Sequence, residues 1–340
     1  MKNLKSIFLA STMLFATTVS AHAELNVVTS IKPVHSLVAA VMEGVGEPGV
    51  IIEGAGSPHN FALKPSQAEM LEQANVVFWI GHELEAFLEK SLETIGAKAK
   101  SVELIDAHDL VKLGFREGGA FDEHDHDDKK SESDHEGHDH DKKAKAGHDD
   151  HDHDKKAEAD HAGHDHGKFD AHIWLDPVNA KAMVHEIEEA LVAADPGNAA
   201  KYKANAEAVM ARLDALVSEV SADLKPVQDK GFIVFHDAYQ YFEKRFGLTA
   251  TGSITVSPEV MPGAERITEI RARVQELGAA CVFAEPQFEP KLVATVTEGT
   301  NAKSGVIDPL GTSLDAGPNL YFQLIRNMAS SIKSCLSEAS

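Results

Sequence analysis

The sequence is short of positive charge and of long apolar runs. Its 32 Lys and Arg residues face 54 Asp and Glu residues, which gives a formal net charge of −22 at pH 7. No stretch is basic enough to attract a nucleic acid, so nucleic-acid binding is excluded. After residue 23, no apolar run approaches the roughly 20 residues that span a bilayer. The mature chain is therefore expected to be soluble.

Cysteine is also scarce, with only Cys281 and Cys335 in the chain. Residues 1–23 combine two lysines, an apolar run and a final small-x-small tripeptide, which predicts a signal peptide and a mature, periplasmic chain that begins near Glu24. An exported protein with two cysteines tends to bridge them rather than leave two thiols open to oxidation. A disulfide is therefore expected, and a thiolate metal site is the alternative.

One segment lacks core-forming residues altogether. Residues 116–168 contain no Leu, Ile, Val, Met or Trp, so they cannot pack a core. Imidazole suits Zn, Cu and Ni, and the neighbouring Asp residues add oxygen donors. The composition predicts a disordered accessory metal-binding loop, with an inert linker as the alternative. Its metal-binding residues would be the eleven histidines His124, His126, His135, His138, His140, His148, His151, His153, His161, His164 and His166.

Elsewhere, short apolar runs alternate with helical patterns, and this alternation occurs in two halves of the chain. Two such halves imply an α/β protein with two parallel-sheet lobes. The predicted lobes cover 24–115 together with 169–195, and 227–340. The predicted strands are 25–31, 50–52, 76–80, 101–104, 232–235, 251–254, 280–284 and 305–307.

The longest helical pattern lies between the two halves, over 196–226. Seven apolar residues recur at spacings of three and four, which places them on one face of a helix. At about 1.5 Å per residue, a helix of this length reaches some 40 Å and braces both lobes. The stripe consists of Tyr202, Ala206, Val209, Leu213, Leu216, Val220 and Leu224.

Four side chains outside the loop fall where a metal site is expected. His236 and Asp308 directly follow predicted strands, and His59 lies in a loop after another. Ligands of open α/β sheets bind beyond the carboxyl ends of the strands, so these residues are expected to meet in one cleft. His172 lies where the His-rich loop rejoins the folded chain. Three imidazoles and one carboxylate would form a tetrahedral zinc site.

Five segments carry a resemblance to a known family. They resemble the signature segments of the zinc-specific, ZnuA-type periplasmic solute-binding proteins of ABC importers. The resemblance implies two (β/α)4 lobes joined by a long rigid backbone helix, zinc as the transported ligand in the cleft, and delivery to a membrane permease with its cytoplasmic ATPase. It also implies a His-rich loop above the site and a disulfide that matches Cys281 and Cys335. The segments are GAGSPH (54–59), HIWLDP (172–177), FHDAYQYFE (235–243), AEPQF (284–288) and DPLG (308–311).

The same resemblance assigns the ligands. The family's three histidines fall on His59, His172 and His236, and the fourth position varies among members. Some members have Glu before the first histidine, where this chain has Pro58, so Asp308 or a water is expected there. The manganese-binding relatives have Glu in place of the third histidine, which makes their ligand set richer in oxygen. A third imidazole favours zinc.

Other functions stay open at this stage. A Mn(II)- or Fe(II)-binding protein of the same fold is one, and a surface adhesin is another, although no lipidation cysteine follows residue 23. A zinc hydrolase is a third, but the sequence contains no HExxH element, and Glu285 is the only candidate base. A monomeric binding protein without enzymatic activity is therefore expected.

Several further residues have two interpretations. Glu285 is expected either to orient His236 or to be structural, and Asp237 and Tyr239 either to support the site or to begin a helix. His35 is interpreted as a residue that starts a helix rather than as a ligand. His82, His108 and His185 are expected to be solvated.

Overall fold

The computed structural model describes residues 25–116, 169–255, 258, 262–276, 278–289 and 291–338. The signal peptide predicted over 1–23 and all eleven histidines of the predicted loop lie outside these residues. Within the described ranges, no helix has both the length and the apolar character needed to cross a membrane.

Two parallel four-stranded sheets form the framework, and helices flank both of them. Every one of the eight strands overlaps its predicted run. In the first sheet the order is β2-β1-β3-β4, and in the second it is β6-β5-β7-β8, so the two sheets share one topology. Parallel sheets are covered by helices on both faces, which explains why their strands read as continuous apolar runs. The strands are β1 Val27–Thr29, β2 Gly49–Val50, β3 Val76–Trp79, β4 Lys100–Glu103, β5 Phe232–His236, β6 Ala250–Thr255, β7 Cys281–Ala284 and β8 Lys303–Val306.

Local chemistry accounts for the ends of two of the helices. The fourth helix starts at Pro177, and the side chain of the preceding Asp176 accepts a hydrogen bond from the backbone N–H of Val178 at 2.8 Å. The sixth ends before Gly247, which has a left-handed φ of 68°. In chain order they are α1 Lys32–Val41, α2 Pro65–Gln73, α3 Ala86–Thr94, α4 Pro177–Ala194, α5 Ala199–Leu224, α6 Gln240–Phe246, α7 Ala264–Glu276, α8 Lys291–Thr297 and α9 Leu320–Glu338.

The long helix α5 confirms the helix predicted between the lobes. It covers 26 residues, and single turns of 3₁₀ helix at Pro196–Asn198 and Lys225–Val227 fill the rest of the predicted range. All seven residues of the predicted stripe are buried. Because α5 packs against α1, α4 and α9, its apolar face belongs to one core that reaches from the first sheet to the inner face of the second.

One prediction differs in detail from the structure. The last strand was expected over 305–307, but β8 starts at Lys303 and pairs with β7 as an edge strand. Its side chains are therefore poorly covered, and Val306 is 55% exposed. Apolar character locates a buried strand better than an edge strand, because only the buried strand needs it along its whole length.

The predicted disulfide is present between Cys281 and Cys335. It joins the first residue of β7 to the last part of α9, and both cysteines are buried. The bridge lies entirely within the second lobe. The residue boundaries of the two lobes themselves stay a prediction.

Candidate metal centre

Three of the four predicted ligands come together. His59, His172 and His236 each offer a ring nitrogen, and these nitrogens all lie within 4.8 Å of one another. Among the described residues they form the only group of three or more metal-binding side chains that meets this distance. Trp174, Phe288 and Leu310 line the same small cavity.

His59 reaches the site from the first lobe. It lies in a single 3₁₀ turn, Pro58–Asn60, on the loop that follows β2. The hydroxyl of Ser57 caps this turn by accepting a hydrogen bond from the backbone N–H of His59 at 3.4 Å. The residue is half-buried, whereas the other two histidines are buried.

His236 reaches the site from the second lobe. It is the last residue of β5, a strand whose five residues are all buried. Phe232 pairs with Cys281 and Ile233 with Val282, and the same register, if continued, places His236 opposite Glu285. Neighbouring parallel strands thus end side by side, with an imidazole on one and a carboxylate on the next.

Glu285 orients His236, which confirms the first of its two interpretations. Its Oε1 lies 2.7 Å from Nδ1 of His236, and Glu285 is only 3% exposed. A carboxylate can only accept here, so Nδ1 carries the proton and Nε2 presents its lone pair to the cavity. Carboxylates in this position fix the ring and increase its basicity as a metal ligand.

His172 has the same kind of support from Asp170, a residue that the sequence reasoning missed. Oδ1 of Asp170 lies 2.6 Å from Nδ1 of His172, and Oδ2 accepts from Nε2 of Gln240 on α6 at 2.6 Å. Asp170 is fully buried. The only signal in the sequence was an acid two residues before a candidate ligand.

The geometry of His172 and His236 is suited to binding a cation. Their Nε2 atoms lie 3.3 Å apart. Because both Nδ1 atoms donate to carboxylates, two lone pairs face each other across that distance unless a proton or a metal lies between them. Two nitrogens bound to one tetrahedral zinc at about 2.0–2.1 Å are themselves roughly 3.3–3.4 Å apart. The spacing therefore fits a shared zinc ion.

Burial and charge act in opposite directions on His236. Burial lowers the pKa of its imidazole, but the charge of Glu285 and the hydrogen bond to it outweigh burial, so the pKa lies above its ordinary value. Burial raises the pKa of the Tyr239 hydroxyl well above its ordinary range, and Glu285 adds to this effect. Tyr239 is neutral beside the site, with its ring centroid 6.3 Å from that of His236.

Asp308 lies outside the group of three histidines. Its Oδ1 accepts from the backbone N–H groups of Leu310 and Gly311, at 3.1 and 3.0 Å, and from Nε2 of Gln287 at 3.0 Å. Its Oδ2 accepts from the backbone N–H of Thr312 at 2.5 Å. The carboxylate thus closes its own turn, and its role as a ligand stays a prediction.

The other four histidines that the structure describes lie elsewhere. His35 is buried on α1, where its Nε2 lies 3.1 Å from the carbonyl oxygen of Pro48 and burial lowers its pKa. His82 and His185 lie near surface carboxylates with half their side chains exposed, and His108 is exposed. These positions agree with a structural His35 and three solvated histidines.

The described residues on either side of residues 117–168 meet beside the site. The backbone N–H of Asp170 donates to the carbonyl of Leu113 at 2.8 Å, so the chain leaves and returns at nearly one point. Arg116 forms ion pairs with Asp237 and Glu243, of which Asp237 directly follows a candidate ligand. Asp237 therefore joins Arg116 to the second lobe.

Comparison with known proteins agrees with this site. The family described as "Zinc-uptake complex component A periplasmic" (ZnuA) matches residues 27–335. The chain belongs to the ZnuA family. The "High-affinity zinc uptake system protein ZnuA" of Brucella suis biovar 1 (strain 1330) is 57% identical over an alignment of 340 residues. The alignment covers 99% of this chain and 100% of the relative.

Solved structures show the same fold. A crystal structure of ZnuA has a TM-score of 0.70 and 22% identity, and the match covers 92% of this chain and 99% of the other. The laminin-binding protein Lmb of Streptococcus agalactiae, described as bifunctional with adhesin and metal transporting activity, has a TM-score of 0.69 and 23% identity, with 92% and 99% covered. At this identity the likeness to the ZnuA and Lmb structures concerns the fold alone.

Proposed function

We propose that this protein captures Zn(II) in the periplasm and delivers it to the membrane permease of an ABC transporter, which a cytoplasmic ATPase drives. It acts as a monomeric binding protein, and zinc is its transported ligand. The observation that carries this function is the pair of Nε2 atoms 3.3 Å apart, each on a ring held by a buried carboxylate, with His59 in reach.

In this proposal, His59, His172 and His236 bind the ion. Three imidazoles suit Zn(II), whereas Mn(II) and Fe(II) carriers of this fold would gain from more oxygen ligands. For the fourth position, the hydrogen bonds that Asp308 already accepts within its turn support a water, and Asp308 is the alternative.

A binding role is favoured over hydrolysis by the surroundings of the histidines. A metallohydrolase needs a general base that is free to take a proton from the metal-bound water. Glu285, the only candidate base in the sequence, already accepts the Nδ1 proton of His236. The largely apolar side chains of Trp174, Phe288 and Leu310 around the histidines suit the holding of an ion.

The His-rich segment 116–168 is proposed as an accessory collector or sensor of zinc. The contacts that the described residues Arg116 and Asp170 make beside the cleft support this role. A flexible chain loses conformational entropy when it wraps an ion, so its sites are weaker than the preorganised cleft.

The proposal is tested by removing the first-lobe ligand. Metal-free protein should gain melting temperature with one equivalent of Zn(II), because a ligand at 100 times its Kd stabilises the folded state by about 2.7 kcal/mol. His59→Ala should remove most of this gain. His185→Ala, which changes an exposed histidine on α4, is the matched control and should keep it. A full gain in His59→Ala would refute the cleft as the zinc site.

A further inference from the structure

A buried lysine from the first lobe contacts the second lobe close to the metal centre. Lys32 is the first residue of α1 and is 7% exposed. Its ammonium group donates to the carbonyl oxygens of Gly311, Thr312 and Leu314 at 2.7, 3.2 and 2.5 Å. An ammonium group has three N–H donors, and here each donor has one carbonyl.

The local preferences of a helix N-terminus do not explain why a lysine stands at position 32. A positive charge is unfavourable at the N-terminus of a helix, where the dipole already places partial positive charge. Burial lowers the pKa of Lys32, and the charges of Asp308, Asp315 and Glu53 oppose that effect. The contact with a segment 279 residues away compensates for an otherwise poor position.

The lysine and Asp308 hold the same peptide group from opposite sides. The carbonyl of Gly311 accepts from Lys32, and the N–H of Thr312 donates to the Asp308 carboxylate. These two groups belong to one trans peptide unit, so they point in opposite directions. A positive charge at the oxygen and a negative charge at the hydrogen both stabilise that orientation. Loss of the lysine would therefore weaken the hold of the turn on Asp308.

The turn is also a wall of the metal centre. Pro309 and Leu310 line the cavity beside the three histidines, and the carbonyl of Pro309 accepts from Nε1 of Trp174 at 2.9 Å. Gly311 has a φ of 68°, a left-handed conformation that suits glycine and lets the chain reverse here. The position of this turn therefore depends on contacts with both lobes, including those of Lys32 and Trp174.

We propose that Lys32 determines metal selectivity by holding the turn over residues 308–314 in place. The Asp308 carboxylate then stays within this turn, and the ion binds to three imidazoles and a water. Lys32 is a positioning residue, since it acts through the turn. Without it, Asp308 can rotate towards the cavity and add an oxygen ligand, which suits Mn(II). The inference rests on the proposed zinc site.

The test compares the affinities for Zn(II) and Mn(II), measured against a competing chromophoric chelator, in four forms of the full chain. Lys32→Met keeps the length of the side chain and removes its charge. We expect the preference for Zn(II) over Mn(II) to fall at least about tenfold, the size of effect typical of coupled neighbours. In Lys32→Met/Asp308→Asn the preference should return, because the carboxylate is gone. Lys201→Met, which removes an exposed lysine that donates to the Gly44 carbonyl at 2.7 Å, should match the wild type.

The outcomes separate this inference from the proposed function. A lower melting temperature in Lys32→Met with an unchanged Zn(II)/Mn(II) preference would mean a purely structural lysine and would overturn the inference. A changed preference that persists in the double variant would overturn it too, because Asp308 would not be the cause. If Lys32→Met does not fold, Lys32→Gln takes its place with the same expectation. Failure of the proposed function would show separately, as zinc binding in the wild type that does not depend on His59.

Discussion

The two lobes repeat one topology but contribute unequally to the metal centre. Both sheets place their second strand outermost, then the first, third and fourth. The first lobe, with its predicted boundaries, supplies His172 and, from a half-buried turn, His59, whereas the second supplies His236 from the end of a fully buried strand. Helix α6 of the second lobe also holds Asp170, which orients His172. A repeated fold therefore fixes where ligands can lie but not how firmly each is held.

The difference extends to the supports behind the ligands. His172, which the predicted boundaries assign to the first lobe, and His236 of the second lobe each contact a buried carboxylate through Nδ1. The turn that closes the cavity also belongs to that lobe, although Lys32 of the first lobe holds it. The second lobe therefore provides a preformed half of the site, because it holds His236 through Glu285 and His172 through Gln240 and Asp170, and His59 completes it.

The largest expected effect concerns the disulfide, which only the second lobe has. Changing both Cys281 and Cys335 to Ala should lower the free energy of unfolding by about 4 kcal/mol, because the bridge closes a loop over 54 residues of sequence separation. Urea unfolding of the metal-free protein measures this loss. An unchanged unfolding free energy would mean that the core, and not the bridge, holds α9 on the second sheet.

Zinc binding provides the control for that variant. Cys281 begins β7, and Glu285 follows the end of the same strand. The stabilisation gained on adding zinc should therefore survive the loss of the bridge. If it is lost together with stability, the second lobe is not a preformed half-site.

The next effect tests the carboxylates behind the histidines. Glu285→Gln should weaken zinc binding at neutral pH by about 10- to 100-fold, the usual cost of losing such a partner. Titration with a competing chelator measures this loss. Glu219→Gln, which removes an exposed carboxylate paired with Arg326 on the far helix α9, is the matched control and should bind like the wild type.

The same variant predicts a shift in pH dependence. Glu285 raises the pKa of His236, so in the wild type protons compete with zinc at a higher pH than they would for an ordinary imidazole. Without the carboxylate that pKa falls. The zinc affinity of Glu285→Gln, although weaker at neutral pH, should therefore stay constant down to a lower pH before it begins to fall. An unchanged pH profile in Glu285→Gln would show that a different group controls zinc release.

Much of this architecture is predictable from the sequence, and the reason is local. Buried parallel strands require continuous apolar runs, which locate strands such as β3 and β5, whereas the exposed edge strand β8 is located only in part. The stripe from Tyr202 to Leu224 requires only helical spacing. The three histidines are predictable because they follow strands or stand in signature segments. Helical spacing and the ends of strands can both be recognised from residues that are close together in the sequence.

Two supports of the site, Asp170 and Lys32, could not be found in this way. Asp170 depends on Gln240, which is 70 residues away, and Lys32 depends on carbonyl groups some 280 residues away. Every residue has a backbone carbonyl, so no sequence pattern shows which carbonyls a lysine will contact. Such contacts follow only once the two lobes are packed together.

The smallest expected effect concerns the His-rich segment. A chain without residues 117–167 should keep its tight zinc site, because the flanking residues Leu113 and Asp170 are already joined by a backbone hydrogen bond. Calorimetric titration should show one tight equivalent in both forms and additional weak equivalents only in the intact chain. Loss of the tight equivalent on deletion would mean that this segment takes part in the cleft itself, and the unequal lobes would then not account for zinc capture on their own.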